Sequence, residues 1–193
     1  MITAIIMASG LSKRMGENKL LLEFEGVPII EHTFKEIKKS NIKEVIVISQ
    51  YNEIISLSKK YNFKCIYNDN AEIGQSESIK LGIINSSKCD GYMFFVGDQP
   101  LIDSFYIDKI INEFNKDNEF IVIPKYNNKK GNPVIFPYKK REDLLNLQKD
   151  EKGKKVVNNY DKIKFVQVSE SMLIDIDNKE DYKRLTRRVK WDR

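Results

Sequence analysis

The sequence predicts an α/β fold of three layers, in which a mostly parallel sheet carries helices on both faces. Short apolar runs alternate regularly with longer amphipathic stretches along the chain, as strands and helices do in successive β–α–β units. The apolar runs are nearly continuous, which is typical of strands buried on both sides. The chain has 193 residues, a length that suits one domain over 1–193.

Strands are predicted where apolar and β-branched residues run together. The clearest of them is the run Gly-Tyr-Met-Phe-Phe-Val at 91–96. In chain order, the predicted strands cover 2–8, 44–49, 64–68, 91–96, 120–123, 134–136, 163–168 and 172–176.

Helices are predicted where apolar residues recur at spacings of three and four. In the first of them, Ile30, Phe34 and Ile37 share one face. We expect Asn52 and Ser76 to cap the helices that they open. In chain order, the predicted helices cover 28–39, 52–61, 76–85, 104–114, 139–147, 152–160 and 179–188.

Composition and charge exclude several classes of protein. No apolar run approaches the roughly 20 residues of a membrane span, and a secretory signal is not expected. The formal net charge is +5, but acidic residues are interspersed, so we expect an anionic nucleotide rather than a nucleic acid as partner. Cys65 and Cys89 match no zinc or redox spacing. We therefore expect reduced thiols in a cytoplasmic protein.

The opening strand ends in a turn of small residues that cations follow. Met-Ala-Ser-Gly at 7–10 leads to Lys13, Arg14 and Lys19. Such a turn presents backbone N–H groups to an anion, and Arg14 and Lys19 can neutralise the charge that these groups hold. The glycine spacing matches neither a P-loop nor a dinucleotide fingerprint. The sequence therefore predicts a polyphosphate site of another kind.

Aspartates follow two of the predicted strands. Asp98 comes just after 91–96, and Asp175 and Asp177 lie at the end of 172–176. Because the carboxyl ends of parallel strands meet at one edge, Asp98 and Asp177 could pair there to bind Mg²⁺. Asp175 either reaches the same edge or sits deeper. Each aspartate alone is more often a turn former or a helix cap, so the prediction rests on their convergence with the cationic turn.

Several blocks of the chain resemble the nucleotidyltransferases that act on molybdenum cofactor. Residues 7–21 are similar to the signature L-A-[AG]-G-x-S-x-R-M-G-x-x-K of that family. Each block alone is a weak signal, but together they run in family order over nearly the whole chain. The other blocks lie at 26–30, 74–82, 97–100, 131–136 and 175–181.

The resemblance implies a Rossmann-like nucleotidyltransferase fold and the transfer of CMP from CTP to the phosphate of molybdopterin, with release of pyrophosphate. It implies Mg²⁺, or Mn²⁺, held by Asp98 and Asp177. The catalytic residues that it implies are Arg14, Lys19 and Asp98. The implied nucleotide-binding residues are Met7, Ala8, Ser9, Gly10, Arg14, Lys19, Gln75, Ser76 and Ser78. Of these, Ser76 could serve only as a helix cap.

Residue 9 and the block at 74–78 favour the cytidylyl branch of that family. Guanylyl members usually carry Gly-Gly where this chain has Ser9-Gly10, and a side chain at this place leaves less room for a purine. Three residues depart from the family pattern: Met7 replaces Leu, Ser9 is neither Ala nor Gly, and Asn132 stands where His is common. The base is therefore less closely implied than the reaction.

Two other functions stay open. The chain could use GTP, or transfer a nucleotide to another phosphate acceptor such as a sugar 1-phosphate, because related enzymes share the opening loop. It could also be a non-catalytic module that binds a nucleotide or cofactor. A degenerate copy should have lost at least one of Arg14, Lys19, Asp98 and Asp177, and all of them are present.

The C-terminal residues carry the single Trp of the chain, at position 191. Trp and Arg are frequent interface anchors, although the simpler expectation is that Trp191 packs on its own domain. If this end meets a partner, a molybdenum-dependent hydroxylase apoenzyme awaiting its cofactor is the expected one.

Overall fold

A computed structural model describes residues 1–12 and 15–191, and side chains as far as residue 187. Within this part, the strands are β1 (Ile2–Met7), β2 (Glu23–Phe24), β3 (Val27–Pro28), β4 (Glu44–Ser49), β5 (Lys64–Tyr67), β6 (Gly91–Val96), β7 (Ile121–Tyr126), β8 (Lys129–Lys130), β9 (Val134–Pro137) and β10 (Ile163–Gln167). The helices are α1 (Ile29–Lys39), α2 (Asn52–Lys60), α3 (Gln75–Ile84), α4 (Ser104–Lys116), α5 (Arg141–Leu145), α6 (Lys154–Asn158) and α7 (Lys179–Trp191).

The main sheet has the strand order β10-β7-β9-β6-β1-β4-β5, with β8 paired to β7. Strand β1 lies inside the sheet and runs parallel to β4 and β6. Strand β9 is antiparallel to both of its neighbours, β6 and β7. The mostly parallel sheet predicted from the sequence is therefore confirmed, and β9 and the short β8 are its antiparallel strands.

Helices cover both faces of this sheet, because successive residues of each strand point to opposite sides. Ala4 and Ile6 of β1 pack in one cluster with side chains of α1, α2 and α4. Ile5 packs in the other cluster with α3, α5 and α6. A Cβ at Gly82 of α3 would clash with Ile5, so the glycine lets α3 approach β1 closely. Its N-terminus is thereby brought to the carboxyl edge of the sheet.

Four predictions about elements were wrong. Residues 172–176 form no strand: Ser171–Leu173 is a 3-10 turn, and the apolar side chains are buried because this segment anchors in the core. The predicted helix 139–147 is a 3-10 turn followed by the short α5. Asn52 and Ser76 lie inside their helices, whose N-cap positions are Tyr51 and Gly74.

Two further structural findings concern membrane-spanning helices and the two cysteines. Among the described residues, no helix combines the length and the apolar character that crossing a membrane requires. Cys65 and Cys89 are free thiols, and burial raises the pKa of both.

Candidate active site

The turn after β1 is fixed against β4 by hydrogen bonds. The Ala8 amide and the Ser9 hydroxyl both donate to the Ile48 carbonyl, at 2.8 Å and 3.1 Å. The Gln50 amide donates to the Ser9 carbonyl at 2.9 Å, and the Tyr51 hydroxyl donates to the Gly10 carbonyl at 3.0 Å. These bonds engage the carbonyls of the turn from the β4 side and fix its backbone in one conformation.

Lys19 bridges the two aspartates that the sequence places far apart. Its ammonium lies 2.6 Å from Asp98 Oδ2 and 3.3 Å from Asp177 Oδ1. The Lys19 and Asp98 side chains are 16% and 17% exposed, and Asp177 is 49% exposed. A Cβ at Gly97 would lie 3.2 Å from Leu20, so the glycine allows the turn that carries Lys19 to reach the end of β6.

The two carboxylates fit a divalent cation. Asp98 Oδ1 is buried, and within the described residues it has no hydrogen-bond partner, a state that costs about 1–3 kcal/mol or more for a charged group. No group of three or more His, Cys, Asp or Glu able to hold a metal is found in the described part of the chain. A pair of carboxylates suits Mg²⁺, which takes one or two of them together with phosphate oxygens and water.

Asp175 is a third carboxylate beside this pair. The buried Gln99 amide donates to Asp175 Oδ1 at 2.7 Å. Desolvation by the surrounding atoms, and then the charge of Asp98, raise the pKa of Asp175. The Ile176 amide donates to the Asp98 carbonyl at 3.1 Å, which ties the segment that bears Asp175 and Asp177 to the loop after β6.

Two clefts open on either side of Asp98. The first cleft, of about 650 Å³, is lined by Ser9, Gly10, Lys19, Gly74, Gln75 and Ser78 among others. The second cleft, of about 520 Å³, is lined by Phe94, Lys130, Asn132, Phe136, Lys154 and Asp175 among others. The residues that line both are Met7, Gln75, Val96, Asp98 and Lys152. A ligand in each cleft would therefore meet the other at Asp98.

The structure brings most of the sequence-predicted site residues to these clefts. Asp177 lines the second cleft. Ala8 and Ser76 are fully buried, and the Ser76 hydroxyl donates to the Lys149 carbonyl. Those that line the first cleft are Met7, Ser9, Gly10, Lys19, Gln75, Ser78 and Asp98.

Some predicted residues lie outside the described part of the chain. Lys13 and Arg14 fall in its internal gap, and the Trp191 side chain lies beyond the described side chains. Their predicted roles stay predictions.

Sequence reasoning missed the lysines that line the second cleft: Lys130, Lys152 and Lys154. Residues 152–153 were predicted to be helical, but α6 begins at Lys154 and Lys152 lies in the preceding loop. The signal that could have found it is a glycine flanked by lysines at 152–155, a pattern that also suits an exposed helix start.

The family model and the relatives that match this chain are all of nucleotidyltransferases. The family model of the MobA-like NTP transferase domain matches residues 4–163. A "Probable molybdenum cofactor guanylyltransferase" of Pyrococcus horikoshii is 30% identical over 155 residues, which are 79% of this chain and 77% of that protein. A 2-C-methyl-D-erythritol 4-phosphate cytidylyltransferase of Bacillus licheniformis is 30% identical over 125 residues, which are 61% of this chain and 54% of that protein.

A solved structure shares the fold over nearly its full length. The crystal structure of Rv0371C from Mycobacterium tuberculosis in complex with manganese superposes with a TM-score of 0.78. The match covers 96% of this chain and 98% of that one at 18% sequence identity.

Proposed function

We propose, since the chain belongs to the MobA-like NTP transferase domain family, that it transfers CMP from CTP to the phosphate of molybdopterin and releases pyrophosphate. The observation that carries this proposal is the Lys19 ammonium between Asp98 and Asp177, where the two clefts meet. One cleft would hold the nucleotide and the other the acceptor.

The reaction needs alignment and charge neutralisation rather than a general base. An oxygen of the acceptor phosphate attacks the α-phosphorus, and the bond from that phosphorus to the bridging oxygen breaks as pyrophosphate leaves. A phosphate is already an anion at neutral pH. In agreement, the single histidine, His32, contacts the Phe24 carbonyl at 2.8 Å and packs on the Phe24 ring, and it lines neither cleft.

Each part of the first cleft has a proposed role. The turn at 7–10 would hold the triphosphate through the backbone N–H groups of Ser9 and Gly10, since the Ala8 N–H already donates to the Ile48 carbonyl. Lys19, together with Arg14 by resemblance, would neutralise the β- and γ-phosphates and the leaving pyrophosphate. When the nucleotide binds, the Lys19 ammonium would leave the carboxylates of Asp98 and Asp177 and contact the triphosphate.

Asp98 and Asp177 would hold Mg²⁺ or Mn²⁺. The buried Asp98 Oδ1, which has no hydrogen-bond partner among the described residues, supports this role. A bound divalent cation supplies charge neutralisation at the reacting phosphates. The manganese in the Mycobacterium tuberculosis protein agrees with a divalent cation on this fold.

The second cleft suits a flat heterocycle with polar edges. Val134 and Val157, both half-buried, contribute apolar surface to its lining, and Asn132 and Asn158 contribute amides. A pterin can rest on such a surface and hydrogen-bond to the amides, whereas a sugar would leave much of the apolar surface uncovered. This lining favours molybdopterin over a sugar 1-phosphate.

The base is proposed to be cytosine because residue 9 carries a side chain. Ser9 is buried and its hydroxyl is bonded to the Ile48 carbonyl, so its Cβ occupies a fixed place beside the first cleft. The guanylyltransferase of Pyrococcus horikoshii makes GTP the second candidate.

The proposal is tested by measuring pyrophosphate release from CTP, GTP, ATP and UTP with Mg²⁺ and molybdopterin. We expect release that needs molybdopterin and metal, with CTP preferred in competition. Preference for GTP would correct the base alone, whereas no release with any nucleotide would overturn the proposed reaction.

A further inference from the structure

The loop before α6 is anchored to the rim of both clefts. The buried Ser76 hydroxyl donates to the Lys149 carbonyl. A Cβ at Gly74 would lie 2.7 Å from Asp150 Cα, and a Cβ at Gly153 would lie 3.1 Å from the Phe136 ring. The loop therefore contacts α3 at one end and the wall of the second cleft at the other.

Lys152 lies between these two anchors. Its side chain is exposed, and it lines the first cleft and the second, as Asp98 does. In the described part of the chain it forms no ion pair, whereas its neighbour Lys155 pairs with Glu151 at 2.5 Å. Lys152 is thus a cation at the junction that forms no ion pair with any described residue, although Asp98 and Asp150 line the same cleft.

The other described cations of the clefts reach only one of them. Lys19 lines the first cleft, and Lys130 and Lys154 line the second. Lys130 also lies 4.9 Å from the centre of the Phe165 ring. Among the described residues, Lys152 is therefore the single cation placed to contact ligands in both clefts.

We propose that Lys152 is a catalytic residue that binds the acceptor phosphate and the α-phosphate of the nucleotide together. This inference rests on the proposed function. Two anions must approach before the new oxygen–phosphorus bond forms and the electron pair of the broken bond passes to pyrophosphate. An ammonium between them offsets their repulsion and takes no part in proton transfer.

The role of Ser76 follows from the same arrangement. Its side chain is buried and bonded to the loop, so it acts on the substrates through Lys152. Ser76 is a positioning residue in this inference.

The test compares K152M and K154M with the matched control K43M. Lys43 is exposed and precedes β4 at the opposite edge of the sheet. Two quantities are measured: kcat/KM with molybdopterin, and the calorimetric affinity for an α,β-methylene analogue of the preferred nucleotide.

We expect K152M to lower kcat/KM about 100-fold and to weaken analogue binding about tenfold, as the loss of a charged hydrogen bond does. K154M should raise the KM for molybdopterin and leave analogue affinity unchanged, and K43M should match the wild type.

If K152M matches K43M in both measurements, the inference is overturned and the proposed function stands. If the wild type releases no pyrophosphate with any acceptor, the proposed function fails. In that case the affinity for the nucleotide analogue tests the contact between Lys152 and the nucleotide. Weaker binding in K152M but not in K154M supports this contact, and equal affinity in K152M and the wild type overturns it.

Discussion

The two clefts that meet at Asp98 are built in different ways. The first cleft is made largely by the turn after β1, the Lys19 turn and the start of α3, each a short contiguous segment. The second is assembled from β6, β9, α6 and the loop that carries Asp175. The first presents backbone and a few fixed polar groups, whereas the second combines apolar surface with lysines. This difference explains why the first cleft could be predicted from a local sequence motif, whereas the lysines of the second could not.

The largest effect is expected at Asp98, one of the five residues that line both clefts. Asp98→Asn keeps the shape but removes the charge that would hold the metal, and kcat should fall on the order of 10³-fold with either nucleotide. Asp161→Asn is the matched control, since Asp161 is exposed and precedes β10 at the far edge of the sheet. Full activity in a folded Asp98→Asn protein, measured by pyrophosphate release, would remove Asp98 from the reaction.

Substitution of Lys19 tests the role of the first cleft alone, because Lys19 does not line the second. Lys19→Gln should lower kcat/KM for the nucleotide about 100-fold, because the triphosphate loses its ammonium. Without nucleotide, the same change should tighten Mn²⁺ binding about tenfold, since Asp98 and Asp177 then lack the cation that lies 2.6 Å and 3.3 Å from them. Electron paramagnetic resonance titration of free Mn²⁺ measures this affinity. Unchanged or weaker binding would contradict the account of Lys19 as their partner in the absence of ligand.

Substitution of Ser76 tests whether its hydrogen bond holds the loop that carries Lys152 in position. Ser76→Ala frees the loop at Lys149, and we expect kcat/KM with molybdopterin to fall about 30-fold because Lys152 is displaced. In a K152M background the same substitution should have little further effect. Additive losses in this double-mutant cycle would show that Ser76 acts independently of Lys152.

Residue 9 gives the smallest expected change. Ser9→Gly should raise the ratio of GTP to CTP use about tenfold, whereas Ser9→Ala keeps the Cβ and should leave that ratio unchanged. Both lose the bond to the Ile48 carbonyl, so both should unfold at lower temperature, with about 1 kcal/mol less stability. Equal ratios in the two variants, measured by competition, would show that the side chain at residue 9 does not select the base.

The alternation of strands and helices could be predicted from the sequence because it depends on local patterns. The approach of Lys19 to Asp98 could be predicted because the carboxyl ends of parallel strands, here β1 and β6, lie at one edge of the sheet. The antiparallel direction of β9 could not be predicted from these patterns, since its pairing with β6 and β7 depends on contacts distant in sequence.

The same reason explains the missed lysine and the wrong strand. Lys152 reaches the junction only because Gly74 and Ser76, more than 70 residues away in sequence, hold its loop there. Residues 172–176 look like a strand because four of the five are apolar. Met172, Leu173 and Ile176 are instead buried by packing in the core, and the Ile176 N–H donates to the Asp98 carbonyl in the loop after β6. Apolar patterning reports burial more directly than it reports hydrogen-bond pairing.

A crystal structure with Mn²⁺ and a non-hydrolysable analogue of the preferred nucleotide tests the central claim most directly. We expect the anomalous peak of Mn²⁺ between Asp98 and Asp177, the triphosphate in the first cleft, and the Lys19 ammonium moved from the carboxylates to the β- and γ-phosphates. Mn²⁺ bound elsewhere, with Lys19 still paired to Asp98, would contradict the account.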